Sequence, residues 1–426
     1  MAAPDTIYAL SSGQPPAAIA VIRVSGPAAR RTVETLTARP AQPRRPQLRE
    51  LCFDGELLDR ALVLFFDGPA TATGEDLAEL HLHGGRAVVA SLLQALTHLP
   101  GLRAAEPGEF TRRAFANGRI DLAEAEGLAD LLSAETEAQR RASLQLAGGA
   151  LSRQVADWTG RLLALAAAVE AQLDFSDEGD VDVGLPPAWE EERRQLISDL
   201  ERVLARPPAE RLRDGVRVVI AGPPNSGKST LLNALAGREA AIVSGIAGTT
   251  RDLVEAPVAI AGMPFLLIDS AGLRDTDDAV ERIGVDRARE ALHVADIILW
   301  LGDPDDPPRR SNILVVQAKA DLLDRQTSPG LAVSALTGFG MDLLTKRLLD
   351  EARMLLPVEG ELAVNERQRA ALRAASNHLS SAGATADLLI VAEELRHARA
   401  ALDRITGRAG VEDMLDALFG RFCIGK

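Results

Sequence analysis

Cysteine is nearly missing from this chain: Cys52 and Cys423 are the only two in 426 residues, and they lie far apart. That excludes a disulfide scaffold or a CxxC zinc site and fits a reducing cytosol. Aromatic residues make up only 3%, so platforms for base stacking are scarce. Excess positive charge is lacking as well. A net charge of −14 argues against a surface dominated by phosphate-backbone binding. Any contact with nucleic acid therefore falls to local basic clusters, and the candidates are Arg30 to Arg49, Arg112/Arg113/Arg119 and Arg396 to Arg408. The longest apolar run, Leu162 to Val169, is far short of a bilayer span. The opening MAAPDTIYALSSGQ has neither a basic n-region nor an apolar h-region, so no signal peptide is expected. A cytoplasmic protein without membrane association is the expectation.

What is present is an ordinary globular composition, 46% hydrophobic and 25% charged, on a chain long enough for two or three domains. Residues 1–118 mix β-type runs (Ala18 to Val24, Ala61 to Phe66, Glu79 to His83) with glycine and proline punctuation, an α+β pattern. From Leu122 to about Phe175 the period becomes helical. Leu144, Leu151, Val155, Trp158, Leu162, Leu165, Val169 and Leu173 recur every three to four residues without an intervening proline. Another helix is expected from Trp189 to Ala205, ending before Pro207-Pro208. Strands and helices then alternate to about residue 350. After Pro357 the helical period returns in Leu372, Leu379, Ala386, Leu389, Leu395, Leu402 and Ile405. Neither helical block can bury its stripe alone. The expected solution is one discontinuous helical domain, 119–211 with 350–426, into which an α/β domain at 212–349 is inserted. The fold class is thus multidomain, α+β and α/β. The segment Gly302 to Ser311 (GDPDDPPRRS) is too short and proline-rich for a full helix.

The strand-like run Val216 to Ala221 leads into GPPNSGKS, Gly222 to Ser229, and then into the helical run from Thr230. This is GxxxxGK[ST] in its strand–loop–helix context, the phosphate-binding loop. The glycines allow torsions that turn backbone N–H groups toward phosphates, and the helix N-terminus adds its dipole. Lys228 is placed to reach the β- and γ-phosphates, and the Ser229 hydroxyl to ligate Mg²⁺. The apolar strand Leu266-Leu267-Ile268 ends at Asp269, and Ser270-Ala271-Gly272 follow. This DxxG brings a carboxylate near the Mg²⁺ shell and a glycine N–H near the γ-phosphate. Upstream, GTTRD (Gly248 to Asp252) offers Thr250 as a further Mg²⁺ ligand.

Base recognition is expected at AKAD, Ala318 to Asp321, where G domains usually carry [NT]KxD. Asp321 can accept from the N1–H and N2 amino group of guanine; adenine would leave it unpaired in a buried site. Lys319 can lie across the base. The missing asparagine removes a tie to the phosphate loop, so weaker affinity with retained guanine preference is expected. Ser334-Ala335-Leu336 offers a backbone N–H to the guanine carbonyl. Where a Ras-like enzyme carries its water-orienting glutamine, this chain has Leu273. Transition-state charge would then be met by an arginine, Arg251 or Arg274, or by a monovalent cation held by oxygens of Asn225, Ser244, Ile246 and Thr249.

GPPNSGKSTLLNALAGREAAIVSGIAGTTRD, DSAGLRD followed by VERIG, and the C-terminal FCIGK together resemble the MnmE (TrmE) family of tRNA-modification GTPases, in the TrmE-Era-EngA-like group. The similarity runs over essentially the whole chain, through TGEDLAELHLHGG and PGEFTRRAFANGRIDLAEAEGLADLL. It implies a Ras-like G domain that hydrolyses GTP in a K⁺-dependent reaction on dimerisation, with K⁺ on Asn225, Ser244, Ile246 and Thr249. The catalytic set would be Glu281, Lys228 and Gly248, Glu281 orienting water. The GTP-binding set would be Asn225, Ser226, Gly227, Lys228, Ser229 and Thr230; Ser244, Gly245, Ile246, Ala247, Gly248, Thr249 and Thr250; Asp269, Ser270, Ala271 and Gly272; and Lys319, Asp321, Ser334, Ala335 and Leu336.

The same resemblance implies an N-terminal domain that dimerises constitutively and binds a 5,10-methylene- or 5-formyl-tetrahydrofolate through Arg23, Glu79, Arg119 and Lys426. Arg119 departs from the lysine common there. The implied partners are tRNA and MnmG (GidA), an FAD- and NADH-using protein, in a heterotetramer. The complex would add a carboxymethylaminomethyl or aminomethyl group to C5 of the wobble uridine of certain tRNAs. Two rivals remain: a GTP-dependent ribosome-assembly switch, and a folate-binding aminomethyltransferase-like enzyme with an incidental GTPase. Cys423 is expected as a small residue packed in a helical tail.

Overall fold

The computed structural model describes residues 5–174, 185–238, 255–269, 291–310, 312–322, 330–358, 360–408, 412–420 and 422–426. Two compact units divide the chain: Met1–Ala129 with Thr406–Lys426, and Asp130–Ile405. The C-terminal segment thus groups with the N-terminal sheet rather than with the helices that precede it.

The first unit is built on a six-stranded sheet of β1 (Thr6–Leu10), β2 (Ile19–Ser25), β3 (Gln47–Phe53), β4 (Glu56–Phe66), β5 (Leu77–His83) and β6 (Leu102–Ala104). The spatial order is β3-β4-β5-β2-β1-β6, antiparallel except for the β1–β6 pair. The strand period of two sends alternate side chains to opposite faces. Ala20, Ile22 and Val24, with Val63, Phe65, Ala78, Leu80 and Leu82, are buried against α1 (Ala29–Thr37) and α2 (Arg86–Thr97), whose Val33, Leu36, Val89, Leu92 and Leu96 close that core. The other face carries the polar set, with Arg23 opposite Glu79 and Val21 opposite His81. Helix α3 (Glu109–Ala116) adds Phe110, clustered with Ile7, Ala9 and Ala105.

The C-terminal tail closes this unit. Helix α13 (Glu412–Phe419) brings Phe419 to a buried cluster with Phe422 and Ala125. The chain then leaves the helix: Ile424 bridges Pro107, and the Ser11 hydroxyl donates to the Gly425 carbonyl at 2.8 Å. Gly425 has φ +97°, and a Cβ there would come 2.2 Å from the Leu10 carbonyl oxygen, so only glycine lets the tail pass β1. Cys423 is therefore not packed in a helix as expected. It is exposed on an extended stretch whose Phe422 takes the buried position.

The helical run expected from Leu122 to about Phe175 is broken into pieces. Helix α4 (Leu122–Ser133) ends before α5 (Glu137–Ala147), which Thr136 and Gln139 start with a capping box. Gly148 and Gly149 then separate α5 from α6 (Ala150–Asp174). On α6 the stripe Leu151, Val155, Trp158, Leu162, Leu165 and Val169 is buried, whereas Leu144 on α5 faces solvent. Helix α7 (Pro187–Leu204) packs on α6 and donates from Trp189 Nε1 to the Leu165 carbonyl at 2.9 Å. It also meets α11 (Glu366–Ala382), where the buried Arg193 donates from Nη1 to the Leu379 carbonyl at 2.7 Å. From α11, Arg369 donates to the carbonyls of Arg206 and Leu204 at 2.9 and 2.6 Å. Helices before and after the α/β segment thus hold one another, and α12 (Leu388–Thr406) follows.

The α/β segment is a six-stranded sheet of β7 (Val216–Ala221), β8 (Glu255–Ile260), β9 (Met263–Asp269), β10 (Ile297–Trp300), β11 (Ile313–Gln317) and β12 (Leu331–Ala332). Its order is β12-β11-β10-β7-β9-β8, parallel apart from the β8–β9 hairpin. Helices α9 (Lys228–Arg238) and α10 (Met341–Leu355) contribute Leu231, Leu235, Leu344 and Leu348 to its core, as does Leu212 of the short α8 (Ala209–Asp214). Residues 301–310 form turns, not a helix. Strand β7 lies centrally between β9 and β10, so its C-terminal end opens where strand order changes direction, the usual ligand position in such sheets.

Candidate functional site

Strand β7 stops at Ala221 and α9 begins at Lys228, so Gly222 to Gly227 form the connecting loop. A Cβ on Gly222 would lie 2.9 Å from the Leu301 carbonyl carbon, which fixes glycine where the loop skirts β10. Asn225 takes φ +60° without that exemption, a conformation of the kind stored at functional loops. Lys228 is buried, and its Nζ donates to the carbonyls of Gly222 and Pro223 at 3.1 and 2.8 Å. Ser229 Oγ donates to Asp269 Oδ2 at 2.5 Å, joining the N-terminus of α9 to the end of β9, and Asp269 is only 2% exposed. Ser226 Oγ is buried with no hydrogen-bond partner among the described residues. Thr230 is exposed on the first turn of α9. A nest of turned backbone, a lysine, an orphaned hydroxyl and a helix N-terminus suit a polyphosphate. The hydroxyl and carboxylate of Ser229 and Asp269 are hard oxygen donors that fit Mg²⁺.

The base-recognition segment lies beside this loop. Lys319 Nζ donates to the Asn225 carbonyl at 2.7 Å, so the two loops are tied through the lysine although Ala318 offers no side-chain bond. Ala318 sits against Gly227, 3.6 Å from where a Cβ on that glycine would lie. Asp321 is exposed, and its carboxyl is held below the usual range, first by the Ser334 hydroxyl and then by a backbone N–H and the Lys319 charge. Ser334 is fully buried, Ala335 half-buried, and Leu336 81% exposed at the loop's crest. Ser244 to Thr250, Arg251, Ser270 to Gly272, Leu273, Arg274 and Glu281 lie outside the described residues.

On the sheet face of the first unit, Arg23 donates from Nε and Nη2 to Glu79 Oε1 at 3.2 and 2.8 Å. His81 Nε2 lies 3.3 Å from Glu79 Oε2, and the Arg23 guanidinium is 5.8 Å from the centre of the Phe110 ring. Burial alone would push the Glu79 carboxyl up, but the hydrogen bonds and charges of Arg23 and His81 outweigh it and hold it down. Arg119 donates from Nε to the Thr71 carbonyl at 3.0 Å. Lys426 is half-buried at the end of the tail docked beside Leu10 and Ser11. Arg23 and Glu79 are brought into direct contact. No hydrogen bond joins Arg119 or Lys426 to that pair among the described residues.

Two family models match: the MnmE helical domain over residues 122–423, and the GTP-binding protein TrmE N-terminus over residues 6–119. The tRNA modification GTPase MnmE of Rhizorhabdus wittichii is 61% identical, across 100% of this chain and 97% of its own. That of Erythrobacter litoralis is 59% identical, across 99% and 100%. The chain belongs to the MnmE family of tRNA modification GTPases.

As an MnmE-family member it is a GTP hydrolase acting in tRNA modification, and it binds guanine nucleotide and Mg²⁺. Among solved structures, the G domain of the T. maritima FeoB iron transporter is 24% identical over 32% of this chain and 98% of its own, with a TM-score of 0.24. Among the described residues no helix is long and apolar enough to cross a membrane.

The MnmE-type sheet face also holds residues that the sequence reading passed over. His81 lies two positions from Glu79 on one strand, so the period of two alone would have put it on the same face. Phe110 gave no such local signal. Each arginine of the basic cluster Arg112/Arg113/Arg119 has a partner within the protein. Arg113 is ion-paired with Asp5, Glu75 and Glu109, Arg112 pairs with Asp416 at 2.6 Å, and Arg119 is bonded to Thr71.

Proposed function

We propose that this chain hydrolyses GTP in a K⁺-dependent reaction coupled to G-domain dimerisation. It works with an FAD-dependent MnmG (GidA) partner to add a carboxymethylaminomethyl or aminomethyl group to C5 of the wobble uridine of certain tRNAs, in the cytoplasm. The observation that carries the reading is the convergence of Lys228, Ser229 and Asp269 on the loop between β7 and α9. Lys228 exchanges the carbonyls of Gly222 and Pro223 for β- and γ-phosphate oxygens. Ser229 and Thr250, with the Asp269 carboxylate in support, would hold Mg²⁺, which would neutralise charge on those oxygens. Asn225, Ser244, Ile246 and Thr249 would hold K⁺, which would supply the positive charge that an arginine finger gives other GTPases, and Glu281 with Gly248 would orient the attacking water.

The Arg23–Glu79 face is the folate site in this reading. A guanidinium suits the glutamate tail of a methylene- or formyl-tetrahydrofolate, and a carboxylate suits ring N–H groups. Arg119 and Lys426 complete the set. Exposed Ile19, Leu48 and Leu62 on this same sheet support homodimerisation through the N-terminal unit. GTP hydrolysis gates a conformational cycle, while carbon transfer is done at the folate.

The test is transfer of a labelled methylene-folate carbon to tRNA in the presence of the partner. Lys228→Ala and Arg23→Ala should each abolish labelling, and Arg23→Ala should keep GTP hydrolysis. Labelling at the unsubstituted level in either variant would detach that site from the modification.

A further inference from the structure

We infer a binding site for a divalent transition-metal ion of the zinc type on the helical part of the second unit, made by His378 of α11 and by Glu394 and His397 of α12. Their ligand atoms all lie within 4.8 Å of one another. His378 Nδ1 is 2.7 Å from Glu394 Oε2, and the two imidazole rings are centred 5.1 Å apart. Nothing in the GTP or folate reading uses these residues.

Local geometry explains the cluster. Glu394 and His397 are three residues apart on one helix, so they share a face. His378 faces them from a helix fixed by its own buried stripe: Ala375 and Leu379 on α11, and Leu395, Ala398 and Leu402 on α12, are all inside the core. The ligands therefore ride on two rigid supports, and only their side-chain torsions need to adjust. Tetrahedral ligands about 2.0 Å from an ion are roughly 3.3 Å apart, so the widest separation must close by up to about 1.5 Å while the His378–Glu394 pair opens slightly.

The donor set selects the metal class. Two imidazole nitrogens and one carboxylate suit Zn²⁺, Co²⁺, Ni²⁺ or Cu²⁺, whereas Mg²⁺ and Ca²⁺ prefer oxygen ligands alone. His397 is half exposed, which leaves an open fourth position for water. Glu393 Oε1 lies 3.1 Å from His397 Nε2 and is itself paired with Arg396. A carboxylate on one imidazole nitrogen, fixing tautomer and ring orientation while the other nitrogen takes the ion, is the usual outer-shell arrangement. Glu393 is thus a positioning residue. The bound ion would clip α11 to α12.

The experiment uses full-length protein stripped with a chelator. ZnCl₂ is titrated by calorimetry, and Co²⁺ is followed by its visible spectrum. The unsubstituted protein should bind one more equivalent of Zn²⁺ than the double variant His378→Ala/His397→Ala. The added Co²⁺ band should be lost in that variant, and Mg²⁺ should not displace the ion. Zn²⁺ should raise the melting temperature of the unsubstituted protein and not of the double variant. GTP hydrolysis by the two zinc-free proteins, assayed with Mg²⁺ and K⁺ resupplied, should be the same, which shows that the variant folds. Glu393→Gln should weaken Zn²⁺ binding by about 10-fold, with an unchanged melting temperature in chelator. Equal Zn²⁺ stoichiometry and equal Co²⁺ spectra in the unsubstituted protein and the double variant would overturn the site.

Discussion

The loop between β7 and α9 and the Arg23–Glu79 sheet face both hold a buried or half-buried cation against oxygen acceptors, yet they are assembled in opposite ways. The loop is a contiguous run, Gly222 to Ser229, whose conformation is set by local torsions and by the close pass at Leu301. The sheet face joins side chains 56 residues apart, and strand register alone makes them neighbours. In the loop, Lys228 is held by backbone carbonyls that can be exchanged for phosphate at little cost. On the sheet, Arg23 and Glu79 hold each other half-buried, so the pair is part of the fold as well as of the proposed site. A substitution in the first region should therefore cost activity, and one in the second should also cost stability.

The largest expected effect separates the two. Lys228→Ala should lower kcat/KM for GTP by on the order of 10² to 10³-fold, the usual loss for one preorganised donor to a developing anion. Its urea midpoint should stay close to that of the unsubstituted protein. A large loss of stability in this variant would erase the contrast.

Arg23→Ala leaves Glu79 part-buried without its cation, and should destabilise the first unit by about 1–3 kcal/mol, read from urea unfolding. GTP hydrolysis should persist.

Acid titration sharpens the same point. The Glu79 carboxyl is held below its ordinary value of 4.5 in the folded chain, so its contribution is fully present above that pH and is lost as pH falls toward the folded value. Stability of the first unit should therefore drop on acidification below 4.5. In Arg23→Ala burial is opposed by His81 alone, and the slope should flatten. Equal slopes in the two proteins would assign the acid sensitivity to Asp5 and Glu109, which are also held down.

The smallest effect concerns the base. Ala318 packs against Gly227, and among the described residues Lys319 ties the two loops. Ala318→Asn should add a hydrogen bond worth about 1 kcal/mol, tightening GDP binding roughly five-fold by fluorescence titration.

The contrast also explains what could be read from the residues. The strand–loop–helix around Gly222 to Ser229, strand β11 and the buried stripe of α6 were legible because their signals are local. The breaks at Thr136 and Gly148-Gly149 were hidden by an unbroken apolar period, since capping competes with that period rather than interrupting it. The docking of the tail under Phe419 and Phe422, with Cys423 left exposed, depends on contacts with β1 and α3 that no local pattern encodes. The same holds for His378, Glu394 and His397, which share a site only because α11 and α12 pack together. Arg23 and Glu79 were reached through family resemblance, not through spacing.

The most direct test of the account is GTP hydrolysis by the full chain in KCl and in NaCl at equal ionic strength, with Asn225→Ala alongside. The account predicts strong stimulation by K⁺ that disappears in the variant. Equal rates in the two salts would contradict it and return the transition-state charge to Arg251 or Arg274.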